Sequence, residues 1–138
     1  VIARAVRKLK HPSPLPPKPF TFLNKHLPRS PPKPSLSVCV AATGIILKWE
    51  MPLYAPAYTY AKFESYELFW YEELQNMPVD SQLWKSMGFV QSLPLPMACT
   101  LTMFKDKTIH HFAVRAMDIY KRYGDFSNPV SAFYKEEK

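Results

Sequence analysis

Three glycines and two cysteines among 138 residues exclude several kinds of protein at once. With only Gly44, Gly88 and Gly124, no glycine-rich loop is available to bring backbone N–H groups onto a phosphate. Cys39 and Cys99 are too few for a disulfide scaffold and read as two small core residues, free thiols in a reducing compartment. No run approaches the roughly 18 apolar residues of a membrane span. The first residues also lack the apolar stretch of a secretory signal. Acidic residues are missing from residues 1–34, which hold Arg4, Arg7, Lys8, Lys10, Lys18, Lys25, Arg29 and Lys33 and so carry +8. The other 104 residues hold ten Lys and Arg against eleven Asp and Glu, a balance of −1.

Proline follows the same divide. Nine of the fifteen prolines, Pro12 to Pro34, lie in that basic stretch. A segment so rich in proline and like charge buries too little apolar area to offset its ordering entropy. Residues 1–31 are therefore predicted to be a disordered linker with a polyproline II bias, and residues 32–138 the folded domain. The linker could also neutralise phosphates, which makes a nucleic-acid-binding module the rival reading. It has only Phe20 and Phe22 for base stacking, so nucleic acid is expected to bind weakly at most. Arg4 to Lys10 also fits a localisation signal, and Pro14-Leu15-Pro16-Pro17-Lys18-Pro19 a ligand for an SH3-like domain.

From residue 35 onward the chain breaks into short runs of period two bounded by Pro, Gly, Asn and Asp. Predicted strands are 36–40, 44–50, 65–71, 83–88, 98–103, 110–118 and 130–134. Residues 66–76, rich in Glu and aromatics, are the one helical candidate, but their content favours strand. About seven short strands at this spacing make an all-β, two-sheet antiparallel sandwich. Trp49, Tyr66, Leu68, Leu101, Phe112 and Val114 are expected in its core.

No catalytic constellation is present. His110 and His111 are adjacent on a strand, point to opposite faces and cannot share one ion, so neither a metal nor a cofactor is expected. Glu72-Glu73 reads as a solvated strand end. The functional signal is aromatic: twenty Phe, Trp and Tyr exceed what one small core holds. With Tyr66, Leu68 and Trp70 turned inward, alternation turns Phe69 and Tyr71 outward. Phe69, Tyr71, Trp84, Leu95 and Met97 are the candidate partner-binding patch. The alternative is that the tyrosine-bearing loop at 51–60 folds over them.

Leu101 to Phe104, a polar corner, and then Phe112, Val114 and Ala116 describe two strands crossing at the edge of a sandwich. Together with Trp49 and Gly124-Asp125-Phe126-Ser127, they resemble a fibronectin type III domain over residues 32–134. Leu93 to Thr102 and Phe112 to Tyr120 narrow the resemblance to the domain of the activating transcription factor 7-interacting protein family, also called MBD-containing chromatin-associated factors, with its second paralogue the nearer. His110 stands where that fold usually has a corner tyrosine, and Asp106 where it has proline. The resemblance implies a non-catalytic interaction module of a nuclear corepressor. It would dock peptide segments of chromatin proteins, such as a methyl-CpG-binding protein, through apolar contacts or along a sheet edge. The full-length family is also tied to a SET-domain histone lysine-9 methyltransferase and to heterochromatin silencing.

Overall fold

A computed structural model describes residues 10–19, 26–102 and 104–135. The expected localisation signal, apart from Lys10, lies outside them, as do Phe20 and Phe22. Seven strands form: β1 (Ser35–Ala41), β2 (Gly44–Glu50), β3 (Phe63–Glu73), β4 (Lys85–Gln91), β5 (Met97–Leu101), β6 (Thr108–Asp118) and β7 (Val130–Tyr134). They pair antiparallel in two sheets, β1-β2-β5 and β4-β3-β6-β7, which is the expected all-β sandwich. Of the helical candidate, residues 66–73 lie in β3 and residues 74–76 in the turn that follows.

Alternation decides which side chains meet between the sheets. Ile45, Leu47 and Trp49 from β2 face Tyr66 and Leu68 from β3 and Phe112, Val114 and Ala116 from β6. Trp49 meets Tyr66 edge to face, ring centroids 5.4 Å apart. Five of the six expected core residues are buried, and Leu101 packs half-buried against them. A Cβ on Gly44 would sit 2.0 Å from the Leu101 carbonyl oxygen, so only glycine lets β2 leave its hairpin beside β5. Gly88 takes φ +98° at a bulge: Leu68 pairs with Gly88 but Phe69 pairs with Ser86. That extra residue re-aims β4 and the Trp84 that precedes it.

The corner at the start of β6 survives its unusual residue. His110 is fully buried, accepts at Nδ1 from the Trp70 indole at 3.0 Å, and places Nε2 2.7 Å from Thr108 Oγ1. Thr108 in turn donates to the Lys105 carbonyl. Imidazole and hydroxyl together bond back to the corner, and burial holds the imidazole below its ordinary pKa.

Three local expectations change. Cys39 is exposed rather than in the core, while Cys99 is half-buried and burial pushes its thiol pKa up. Their strands are separated by β2, two strand spacings of about 4.8 Å, too far for a bridge without backbone movement. Residues 28–31, assigned to the linker, pack on the body: Arg29 exchanges backbone hydrogen bonds with Thr59 and Ala61, and Arg122 donates to the Pro28 carbonyl. Residues 10–19 likewise lie on the sandwich, as a strap across the outer face of β4-β3-β6-β7.

Candidate functional site: an aromatic sheet face under a proline strap

The outer face of β3 presents Glu67, Phe69, Tyr71 and Glu73, and that of β6 presents His111, Ala113 and Arg115, all in register. Tyr71 and Trp84, ring centroids 4.7 Å apart and edge to face, join Ala113 in a second apolar cluster flanked by Leu15, Phe69, Met77, Leu83 and Phe126. Phe69 is half-buried, its ring 4.9 Å from that of Phe126. Beside it the Arg115 guanidinium stacks over Tyr123 at 3.9 Å and Phe126 at 4.8 Å while donating to the Glu67 carboxylate at 2.7 Å and 3.0 Å.

Prolines 12, 14, 16, 17 and 19 fix φ along the strap and take away half of its N–H donors. Its remaining polar groups are matched to the face. The Ser13 N–H donates to the Tyr71 hydroxyl at 2.8 Å, and its carbonyl accepts from the Trp84 indole at 3.1 Å. Its hydroxyl accepts from the Asp80 N–H at 3.2 Å, leaving Ser13 only 1% exposed. Leu15 enters the cluster beside Tyr71 and Trp84. His11 donates from Nε2 to the Met77 carbonyl at 2.7 Å and sets Nδ1 2.7 Å from the Tyr71 hydroxyl. The strap buries the face with one leucine, one serine and one histidine, and prolines hold the chain extended between them.

The structure brings together three of the five predicted patch residues and separates the other two. Phe69, Tyr71 and Trp84 share the outer face, although Tyr71 (3% exposed) and Trp84 (5%) lie beneath the strap rather than open. Met97 (7% exposed) pairs opposite Trp49 and joins the core between the sheets. Leu95 is 41% exposed on the connection from β4 to β5 and has no part in the cluster of Tyr71 and Trp84. The cover is residues 10–19, not the loop at 51–60. That loop instead packs Tyr60 near Arg29 and leaves Tyr54 and Tyr58 exposed.

Alternation sends His110 inward and His111 outward, as the sequence implied. Outside, His111 stacks on Tyr71, places Nε2 2.8 Å from Glu73 Oε1 and Nδ1 2.6 Å from Ser131 Oγ. Burial lowers its pKa, against the raising effect of the Glu73 hydrogen bond and charge. His11 stacks on it across 5.9 Å. Sequence reasoning passed over His11 and Ser13, and read Leu15 only as part of a ligand for an SH3-like domain. The available signal was that His11, Ser13 and Leu15, separated by single prolines, alternate as an extended chain lying on a surface would require.

Residues 29–131 match the fibronectin-III type domain family. Human activating transcription factor 7-interacting protein 1 is 44% identical over 103 residues, 73% of this chain and 8% of that protein. Human activating transcription factor 7-interacting protein 2 is 40% identical over 119 residues, 83% of this chain and 17% of that protein. Identity thus does not single out the second paralogue. The chain spans less than a fifth of the length of either human relative. Among solved structures, the third fibronectin III domain of human KIAA0343 protein superposes with a TM-score of 0.59 at 11% identity, covering 86% of this chain and 94% of that one. Three fibronectin domains of chicken CNTN1 give 0.54 at 18% identity, covering 78% and 32%.

Proposed function

The chain belongs to the fibronectin type III family, and from that premise we propose that it is a protein-interaction module of a nuclear transcriptional adaptor or corepressor. It takes extended segments of chromatin and transcription factors, a methyl-CpG-binding protein among them, on the outer face of β4-β3-β6-β7. Its kinship with proteins named for interaction with activating transcription factor 7 supports the class of partner. The observation that supports the place is the strap: Trp84 and Tyr71 present a donor and a hydroxyl acceptor to the carbonyl and N–H of one residue of an extended chain, with an apolar slot beside them for its leucine. Side chains of the sheet face thus bond the peptide's main chain while its alternate side chains fill the slot. A partner segment in this site displaces the strap and makes the same contacts. The sheet positions the peptide and no bond is made or broken. Docking to a SET-domain methyltransferase belongs to other regions of such adaptors.

The test is titration of the chain with the repression segment of a methyl-CpG-binding protein, comparing wild type with Phe69→Ala and Trp84→Ala after confirming that each folds. Truncating an anchor of this kind typically costs at least ~2 kcal/mol, roughly thirtyfold in affinity. Folded variants binding within twofold of wild type would move the site, first to the exposed tyrosines of the 51–60 loop. The rival reading, phosphate capture by the basic tail, predicts binding that collapses as salt rises, whereas apolar docking changes little.

A further inference from the structure

The strap, the end of β3 and the middle of β6 bring His11, Glu73 and His111 together, with one donor atom from each within 4.8 Å of the others. Glu73 Oε1 lies 2.8 Å from His111 Nε2 and 3.9 Å from His11 Nδ1. The far nitrogen of each ring is already held. His11 Nε2 bonds the Met77 carbonyl, which can only accept, so that nitrogen carries the proton and Nδ1 keeps a lone pair, now facing the Tyr71 hydroxyl at 2.7 Å with Glu73 Oε1 beyond it. His111 Nδ1 lies on the Ser131 hydroxyl, which can accept, so a proton moved to Nδ1 frees Nε2. Metal-bound histidines are oriented this way, the nitrogen away from the ion donating to a carbonyl or hydroxyl.

The geometry points to a divalent cation site of the zinc class, formed by His11 Nδ1, His111 Nε2 and the Glu73 carboxylate, that clamps the strap to the sheet. Two imidazoles and a carboxylate suit Zn2+ or Co2+ better than the all-oxygen cations. Zinc bonds of about 2.0–2.2 Å set tetrahedral donors roughly 3.3 Å apart, which the present separations bracket. The cluster opens into a surface groove bordered by Gln75, Asn76 and Thr108, leaving room for water as a fourth ligand. On binding, His11 gives up its contact with the Tyr71 hydroxyl, and Tyr71 keeps its bond from the Ser13 N–H. Because one ligand comes from the strap and two from the sheet, the ion favours the seated strap, and the seated strap raises affinity for the ion by the same factor. The inference needs only the seated strap and stands whether or not a partner uses the face.

Zn2+ titration of the whole chain by calorimetry, with Co2+ as a spectroscopic probe, tests it. The expected result is one ion per chain, a visible Co2+ band typical of tetrahedral coordination, and increased amide protection at Ser13. His11→Ala, which leaves the sheet untouched, weakens binding at least tenfold, since loss of mere outer-shell partners already costs about 10–100-fold. Glu73→Gln does the same, and Cys39→Ser with Cys99→Ser does not. His111 is buried and its loss affects folding as well, so His11 and Glu73 carry the test. Absence of saturable binding at micromolar Zn2+ overturns the site. So does binding that survives His11→Ala within threefold, or binding lost only with the cysteines.

Discussion

Arg115 shows how one residue can be fixed by opposed demands. Its guanidinium donates two hydrogen bonds to Glu67 and lies against Phe69, Tyr123 and Phe126, with both charged side chains about nine-tenths buried. Glu67 also accepts from Ser86 Oγ at 2.8 Å, so its carboxylate is satisfied only while Arg115 is present. Arg115→Ala therefore strands a buried charge, an expected loss of about 3–5 kcal/mol. Arg115→Met with Glu67→Gln recovers most of it, because no charge is left to solvate. Denaturant midpoints for the two single variants and the double give the coupling, and additive losses would show that the pair carries none. Neither the pair nor its aromatic lining was legible in the sequence. Glu67 and Arg115 are 48 positions apart, and only the β3–β6 register, which sets them opposite, makes them neighbours. Trp49 was legible, since a large apolar residue flanked by Lys48 and Glu50 declares its own face. Its exposure of 1% leads to the expectation that Trp49→Ala costs about 3–5 kcal/mol and unfolds much of the domain. A thermal melt within a few degrees of wild type would contradict that.

Among elements, the strands and the strap obey different rules. Strands carry their assignment in local alternation, and so β2 and β7 have the predicted ends while β3 and β6 only lengthen. Met97 was misplaced because the prolines at 94 and 96 interrupt the alternation that would have tied it to Trp49, its partner across β2 and β5. The strap's alternation covers only His11, Ser13 and Leu15, and its partners lie far along the chain. Composition describes it as a chain that cannot fold by itself, which is compatible with its lying on a surface that is already folded. Few side chains hold it, so it should open well before the sandwich does. Tyr71→Phe isolates that step. It removes the acceptor of the Ser13 N–H at 2.8 Å and leaves a buried donor unpaired, an expected cost of about 1–3 kcal/mol, while the ring still fills the apolar cluster. Amide exchange should speed at Ser13 and Leu15 and stay unchanged in β2 and β6. Equal acceleration in all of them would mean that strap and sheet unfold as one unit.

At the scale of the whole molecule, the strap occupies the proposed partner face, so on that proposal it acts as an attached ligand that a partner must displace. Attachment within one chain gives an effective concentration on the order of millimolar. A strap with an intrinsic dissociation constant of ~0.1 mM would then leave roughly a tenth of the molecules open, weakening partner affinity about tenfold relative to an uncovered face. Deleting residues 1–19 should therefore leave the β-sandwich folded, move Trp84 fluorescence toward the red as its indole loses the Ser13 carbonyl, and tighten partner binding about tenfold. Leu15→Asp, placing a charge in the slot beside Tyr71 and Trp84, should do the same in the full-length chain. Calorimetric titration of a methyl-CpG-binding protein segment into the three proteins measures the difference. Affinities within twofold of one another, with all three melting as folded domains, would mean that the partner does not meet the strap. The shared requirement for an extended chain on Tyr71 and Trp84 would then be intramolecular alone, and the face would serve to fasten the chain's own proline-rich segment.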